Sequence, residues 1–296
     1  MKELNIWLLL FCYLPPMQNR ISPIINASEL LSIFSNENLL IIDAGNITSY
    51  EAKHILGALY VDLNNDMAEV PANAANGGRH PLPDVSKFIE KMQALGVSND
   101  SHLIVYDDKN ASNAAARLWW MLRACGHEKV QVLNGGLQAA NACGIPMGSG
   151  MESASNKGNF TATHWTLPLS DMEEVRKVAK DTNYKVIDVR DAYRYEGISE
   201  PIDLIAGHIP GALNLPFSMN LDEAGLFKSP DELKSLYSEF LSGTDPHHTI
   251  VHCGSGVTAC HTLLAMDYAG LEIPSLYVGS WSEWSRNENE MALKST

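Results

Sequence analysis

The segment Cys253-Gly-Ser-Gly-Val-Thr258 has the residue types best suited to chemistry at sulfur. It follows an apolar run at residues 249–251 that predicts a buried strand. It precedes residues 262–270, whose pattern predicts a helix closed by Gly270. A cysteine at such a turn faces unpaired backbone N–H groups and the positive end of the helix, and both favour an anion. We therefore expect Cys253 to ionise near neutral pH and to act as a nucleophile.

The neighbours of Cys253 suit the same chemistry. Gly254 and Gly256 let the backbone curl around the sulfur, and Ser255 and Thr258 add hydroxyl donors. Helix capping is an alternative task for these two hydroxyl groups, and it is compatible with catalysis. A cysteine phosphatase would need an arginine six positions after the cysteine, where this chain has Ala259. We therefore exclude phosphate-ester chemistry.

The elements that must position this loop occur twice along the chain. Asp43 and Asp107 are 64 residues apart, and Asp188 and Cys253 are 65 apart, so the register is kept. Four pairs of segments correspond: 39–43 with 185–188, 54–59 with 208–213, 102–107 with 248–253, and 132–135 with 276–279.

Short apolar strands alternate with helical patterns in both copies, for example at 84–95, 114–124 and 230–241. This alternation predicts an α/β fold in which each copy has a mainly parallel sheet with helices on both faces. The predicted organisation is an N-terminal extension at 1–20, a first domain at 21–147, a polar linker at 148–164 and a second domain at 165–296.

The differences between the copies locate the chemistry in the second one. Cys253 corresponds to Asp107, Arg190 to Gly45, and Arg194 to Ser49. The second copy also has nine additional residues between its aspartate and its histidine. We therefore expect the second domain to be catalytic, and the first to be silent and to wall the cleft.

Composition limits the possible partners. With 296 residues, 45% apolar and 19% charged residues, the chain is globular, and its net charge of −14 argues against nucleic acid or an anionic membrane as a partner. The five cysteines form no CxxC pair, which argues against a disulfide framework or a zinc site. Cys125, Cys143 and Cys260 are expected to be apolar fillers.

The N-terminus leaves the location open. The apolar run at 6–14 is too short to span a bilayer, and a signal peptide would place the protein in the periplasm. Translation from Met17 would instead give a cytoplasmic protein. We expect a cytoplasmic protein.

These residues together resemble the rhodanese-like sulfurtransferases of the tandem two-domain type. The resemblance spans about residues 23–284. It is carried by four segments: Asp188-Val-Arg190, Gly207-His-Ile-Pro-Gly-Ala212, Cys253-Gly-Ser-Gly-Val-Thr258 and Gly279-Ser-Trp-Ser-Glu-Trp284. The uncharged cysteine loop is similar to that of the 3-mercaptopyruvate type, whereas the thiosulfate type carries charged residues there.

The resemblance implies a double displacement through a Cys253 persulfide, without a metal or organic cofactor. The donor would be a small anionic sulfur compound, and the acceptor cyanide, a thiol or thioredoxin. A thiosulfate:cyanide sulfurtransferase and a persulfide carrier that acts only with a partner are the alternatives.

The resemblance also assigns site residues. Arg194 would hold the donor carboxylate, and the backbone of Gly254, Gly256 and Val257 would surround the donor. Arg190 is either a second ligand or an internal salt-bridge residue. A further family arginine after Glu200-Pro201 is missing, because Ile202-Asp203 follows.

Two residues of the first domain complete the expected site. His80 would form a proton relay with Ser255, although the position of the family's relay acid is Asn64 here. We hypothesise that Arg79 supplies the missing positive charge across the cleft. His54, His208 and His252 are expected to be structural, as are Trp281 and Trp284. Trp119-Trp120 is expected in core or interdomain packing.

Overall fold

Two five-stranded parallel sheets of the same topology form the framework of the protein. The computed structural model describes residues 21–109 and 114–293, so the predicted N-terminal extension at 1–20 lies outside the described residues. In the first domain the strand order is β1-β6-β5-β2-β4. Its elements are β1 (Ile24–Ile25), α1 (Ala27–Ile33), β2 (Leu39–Asp43), α2 (Ile47–Ala52), β3 (His54–Ile55), β4 (Leu59–Tyr60), α3 (Leu63–Asp66), α4 (Val85–Ala94), β5 (His102–Tyr106), α5 (Ala114–Ala124), β6 (Val130–Leu133), α6 (Gly136–Ala142) and β7 (Met147–Gly148).

The second domain repeats this plan with the order β10-β9-β11-β12-β8. Its elements are β8 (Leu169–Ser170), α7 (Met172–Val178), β9 (Lys185–Asp188), α8 (Ala192–Tyr195), β10 (Leu213–Asn214), α9 (Pro230–Leu241), β11 (Thr249–His252), α10 (Ala259–Tyr268), β12 (Ser275–Tyr277) and α11 (Ser280–Trp284), with short 3-10 helices at Phe217–Asn220 and Pro246–His248.

Both faces of each sheet are covered, as the alternation of strands and helices predicts. In β2, successive residues Ile41 and Ile42 belong to different apolar clusters, because side chains alternate across a strand. In the second domain Val186 and Ile187 of β9 divide in the same way. The predicted fold of two α/β units with parallel sheets flanked by helices is confirmed.

The two domains share one apolar core. Trp119 and Trp120 of α5 are fully buried in a cluster that also contains Leu263 and Leu264 of α10. These two helices follow corresponding strands, so they pack across the interface as a related pair. The expectation that the tryptophan pair takes part in core or interdomain packing therefore agrees with the structure.

The connection between β7 and β8 contains no helix or strand. It is nevertheless anchored on the first domain, because Phe160 is buried and Gly158 donates its N–H to the carbonyl of Gln93. The linker bounds at 148–164 remain a prediction. No helix in the described part of the chain is both long and apolar enough to cross a membrane.

Helix α10 begins at Ala259, three residues before the start we predicted. The end of the cysteine loop already winds as a tight turn, since Cys260 donates to Val257 and His261 donates to Thr258. The predicted glycine at the other end is present, with Gly270 in the left-handed region at φ +73°. The helix N-terminus therefore lies closer to Cys253 than the apolar pattern indicated.

Candidate active site

Strand β11 delivers Cys253 to the carboxyl edge of the second sheet, where its side chain is 2% exposed. Helix α11 fixes the cysteine peptide from both sides. The N–H of Cys253 donates to Ser280 Oγ over 3.2 Å, and the N–H of Trp281 donates to the Cys253 carbonyl over 3.0 Å. Ser280 adopts φ +54°, a strained conformation for a residue with a side chain. The position of Cys253 is therefore determined by an element that follows it in sequence.

The backbone N–H groups of residues 254–258 donate to no protein acceptor within the described part of the chain. The turn needs glycine at position 256, because Gly256 has φ +72° and a Cβ there would lie 2.5 Å from the Val278 carbonyl oxygen. Together with the N-terminus of α10 these N–H groups form a set of donors for an anion.

The corresponding position of the first domain holds a carboxylate. Asp107, the counterpart of Cys253, accepts hydrogen bonds from the N–H groups of Lys109 at 2.8 Å and Ala115 at 3.1 Å. This carboxylate thus accepts from one amide that follows the strand and from one in the first turn of α5. In the second domain a sulfur atom occupies the corresponding position, and the amides remain free for a negatively charged sulfur species.

A cleft of about 180 Å³ opens beside Cys253, between the two domains. This volume is below the ~300–1,000 Å³ of drug-sized ligand pockets and suits a donor of a few heavy atoms. Its lining includes nearly all the predicted site residues. They are Leu63, Arg79, His80, Arg190, Asp191, Arg194, Ile202, Phe217, Cys253, Gly254, Ser255, Val257 and Thr258.

Arg194 lies at the cleft with two of its nitrogens already paired. Nε and Nη2 donate to Glu200, and Nη2 is also 3.4 Å from Asp203 Oδ2. Its Nη1 has no partner among the described residues and is not buried. One edge of the guanidinium is therefore held in place and the other remains available to a carboxylate.

Arg79 lies on the opposite wall of the same cleft, as we hypothesised. Its Nε donates to Asp203 Oδ1 over 3.1 Å, and 27% of its side chain is exposed. A Cβ at Gly254 would lie 3.1 Å from Arg79 Nη2 and 3.3 Å from Arg194 Nη2. The two guanidinium groups therefore converge over the cysteine loop.

Sequence reasoning did not anticipate the carboxylate between these arginines. Asp203 has a fully buried side chain and pairs with Arg79, Arg194 and Arg286, the last at 3.1 Å. It belongs to the segment where the family arginine is missing. The acidic residue in place of the family arginine was the available signal, but two of its three partners, Arg79 and Arg286, lie far from Asp203 in sequence.

Arg190 has the environment of an internal salt-bridge residue. It donates to Asp188, Glu200 and the Gly207 carbonyl, and it stacks on Trp281 at 4.8 Å. Only its edge reaches the cleft, with 1% of the side chain exposed. Of our two interpretations, the geometry favours the salt bridge over donor binding.

His80 reaches across the domain interface to Ser255, with 2.8 Å between Nδ1 and Oγ. Burial and the neighbouring cations Arg79 and Arg117 lower the pKa of His80 to about 4, so the imidazole is neutral at neutral pH. No hydrogen bond joins Asn64 to His80, and the N–H of Asn64 instead donates to Asp62 Oδ1 over 2.9 Å. The histidine–serine pair is therefore present without an acid at the Asn64 position.

Thr258 is at the N-cap of α10 but its hydroxyl makes no capping hydrogen bond. The Ser255 hydroxyl does not cap the helix either, because its hydrogen-bond partner is His80. For both residues the structure favours a position facing the cleft over helix capping alone.

The remaining predictions concern residues that were expected to be structural rather than catalytic. Each of His54 and His208 stacks on a tyrosine and pairs its Nδ1 with that tyrosine's carbonyl, in the first and second domains alike. Burial raises the pKa of both Cys125 and Cys260 to about 12. His252, Trp281 and Trp284 are buried. These placements agree with structural roles.

Arg117 is a site residue that sequence reasoning missed. It belongs to α5 of the first domain and is fully buried, yet it donates to the Gly256 carbonyl over 3.0 Å and to the His80 carbonyl over 3.2 Å. A charged residue inside the otherwise apolar run Ala114–Trp120 was the signal. Its target could not be predicted, because it lies in the other domain.

Comparison with known proteins agrees with this architecture. The rhodanese-like domain family matches residues 26–143 and again residues 171–287. A probable 3-mercaptopyruvate sulfurtransferase of Pseudomonas aeruginosa is 37% identical over 270 residues, which is 88% of this chain and 94% of the relative. A putative thiosulfate sulfurtransferase, SseB of Mycobacterium tuberculosis, is 33% identical over 91% of this chain and 96% of the relative.

A solved structure supports the same conclusion. SseA from Escherichia coli, described among the 3-mercaptopyruvate sulfotransferases, superposes with a TM-score of 0.74 at 33% identity. The match covers 89% of this chain and 100% of that structure. With the repeated sheets and the cysteine loop, these matches establish that the chain belongs to the rhodanese-like family and carries two such domains in tandem.

Proposed function

We propose that this protein is a sulfurtransferase that moves a sulfane sulfur from 3-mercaptopyruvate to a thiophilic acceptor through a persulfide on Cys253. One observation carries the proposal: buried Cys253 opens a loop whose N–H groups at residues 254–258 have no acceptor among the described residues, and it lines a cleft together with Arg79 and Arg194. The names of the relatives point to the same class of reaction.

In the first step the Cys253 thiolate attacks the sulfur of the donor. A Cys253–sulfur bond forms while the carbon–sulfur bond of mercaptopyruvate breaks, and the electron pair leaves on the enolate of pyruvate. The amides of residues 254–258 stabilise the sulfur anion before and after the step, in the manner of an oxyanion hole. Free edges of Arg194 and Arg79 hold the donor carboxylate.

The Ser255–His80 pair moves the one proton that this step requires. The donor's S–H proton has to reach the methylene carbon that becomes the methyl group of pyruvate. A neutral imidazole 2.8 Å from the serine hydroxyl can accept that proton through the hydroxyl and return it. Thiosulfate would need no such transfer, because sulfite leaves as a stable anion.

In the second step a nucleophilic acceptor takes the terminal sulfur and regenerates the Cys253 thiolate. Cyanide, a small thiol and reduced thioredoxin all have the required chemistry. A reducing cytoplasm would supply thiol acceptors and agrees with the free thiols of the described residues.

Thiosulfate is a second candidate donor. The cleft holds several arginines, and a relative of similar coverage bears a thiosulfate sulfurtransferase name. Against it, Glu200 and Asp203 offset much of that positive charge next to the loop, which disfavours a dianion relative to a monoanion.

Initial rates with the two donors test the proposal. We expect a larger kcat/KM for 3-mercaptopyruvate than for thiosulfate, and loss of both activities in Cys253→Ser. A Cys253→Ser variant with full activity would contradict the persulfide mechanism. If each chain released only one sulfur without a partner protein, the protein would be a carrier rather than an enzyme.

A further inference from the structure

The charges around Cys253 are paired with one exception. Arg190 pairs with Asp188 and Glu200, Arg194 with Glu200 and Asp203, and Arg79 with Asp203. Among the described residues, Arg117 has no carboxylate within ion-pair distance. Outside them the sequence contains a single acidic side chain, that of Glu3.

Burying an unpaired guanidinium is costly, because the charge loses its water shell. Two backbone carbonyls, those of Gly256 and His80, accept hydrogen bonds from Arg117. Its Nε has no nitrogen or oxygen acceptor among the described residues. Burial lowers the pKa of the Arg117 guanidinium, and negative charge on either of two cysteines, Cys260 and Cys253, opposes that shift. Of these, only Cys253 belongs to a loop built for an anion.

We infer that Arg117 is a positioning residue which the silent domain contributes to the reaction. It secures the cysteine loop through the Gly256 carbonyl, and it is the buried counter-charge of the anionic sulfur on Cys253, as thiolate and as persulfide. This inference rests on the proposed nucleophilic role of Cys253, and it adds that the charge state of Cys253 depends on the other domain.

Other charged groups also face Cys253, so the contribution of Arg117 must be separated from theirs. On the elements packed around the loop these groups are Arg79, His80, Asp188, Arg190, Asp191, Arg194, Glu200, Asp203, His252 and Cys260. Variants confined to Arg117 leave all of them in place.

The test is the pH dependence of Cys253 alkylation by iodoacetamide, measured without any sulfur donor. Arg117→Gln keeps a donor for the Gly256 carbonyl but removes the charge, and should raise the pH midpoint of alkylation by about one unit. Arg117→Lys keeps the charge and should remain near the wild-type midpoint. Arg123→Met removes a charge two turns along the same helix and should leave the midpoint unchanged.

An Arg117→Gln midpoint equal to wild type, or an equal rise in Arg117→Lys, would overturn the inference. Because no donor is present, these outcomes are independent of whether the protein transfers sulfur at all. If wild type showed the expected alkylation but no sulfur transfer, the proposed function would fail and the inference would stand.

A second comparison needs no Arg117 variant, in case Arg117→Gln does not fold. Asp107 shows that this loop type accommodates an aspartate. Because a carboxylate at position 253 would neutralise the buried charge of Arg117, Cys253→Asp should unfold at a higher urea concentration than Cys253→Ser at pH 7. A lower midpoint for Cys253→Asp would contradict the inference.

Discussion

Asp203 is a single carboxylate shared by three guanidinium groups. It orients Arg79 and Arg194 over the cysteine loop, and it also cancels part of their charge. A charge at this place acts about twice as strongly on a dianionic donor as on a monoanionic one. Asp203 is therefore a candidate for the residue that sets donor preference.

Replacing Asp203 by Asn should raise kcat/KM for thiosulfate relative to 3-mercaptopyruvate by about tenfold, because the cleft gains positive charge. Loss of the three ion pairs should also lower stability. The ratio of the two donors, measured on one preparation, cancels any loss of folded protein. An unchanged ratio would remove Asp203 from donor selection.

If Ser255 and His80 carry the proton of the first step, they should affect the rate with 3-mercaptopyruvate but not the rate with thiosulfate. Ser255→Ala should reduce kcat with 3-mercaptopyruvate by about 100-fold, the lower end of general acid–base effects. It should change kcat with thiosulfate little, because that step moves no proton. Steady-state assays with both donors measure this, and an equal loss with both would indicate that Ser255 only shapes the loop.

At the scale of elements, the cysteine loop needs Gly256 both for its positive φ and for the lack of a Cβ. Comparison with Gly270 separates these two effects. Gly256 and Gly270 have nearly the same φ, +72° and +73°. A Cβ at Gly256 would strike the Val278 carbonyl, whereas at Gly270 nothing lies within 4 Å.

Both Gly256→Ala and Gly270→Ala should therefore lose about 1 kcal/mol of unfolding free energy from backbone strain. Gly256→Ala should in addition lose most of its activity, because the loop has to move. Urea unfolding and donor assays on both variants test this. Full activity in Gly256→Ala would show that the tight curl is not required.

The elements also show which parts of the fold could be predicted from the sequence. The inner strands β2, β5, β6, β9, β11 and β12, the repeat, and helices such as α4, α5 and α9 followed from the sequence, because buried strands and amphipathic helices leave local patterns. The cysteine loop followed from its glycines. The start of α10 was predicted too late, because the glycines and serine that precede it give no apolar pattern from which a helical turn could be predicted.

Long-range partners were beyond local patterns. Ser280 holds the Cys253 peptide from α11, and Arg286 completes the Asp203 cluster. Arg117 reaches the loop only because α5 and α10 pack together. Each of these contacts is created by the packing of distant segments, so no spacing in the sequence reveals it.

At the scale of the whole molecule, three buried histidines and the half-buried His80 make stability sensitive to acid. Burial lowers the pKa of His261 to about 3 and of His80 to about 4, and it also lowers the pKa of His127 and His252. Between pH 6.5 and 4 the unfolded chain binds more protons at these sites than the folded chain, so stability falls as the pH falls. Asp43 opposes this, since burial raises its pKa to about 6.

The four histidines should outweigh the one aspartate. The urea midpoint should therefore decrease from pH 7 to pH 5, and it should decrease less in His261→Gln, which lacks one of these groups. A midpoint that stays constant or rises towards pH 5 would show that these imidazoles are accessible to protons in the folded state.

At the scale of the whole molecule, the first domain contributes residues to the candidate site. Arg79 and His80 line the cleft, and Arg117 donates to the Gly256 carbonyl of the cysteine loop. The two units also share one apolar core.

The central claim is that Cys253 carries the transferred sulfur. Mass spectrometry of the intact protein and its peptides after brief exposure to 3-mercaptopyruvate tests it most directly. We predict a gain of one sulfur atom on the peptide containing Cys253, lost on addition of cyanide as thiocyanate forms, and no gain in Cys253→Ser. Turnover without sulfur on Cys253, or sulfur carried by another cysteine, would contradict the account.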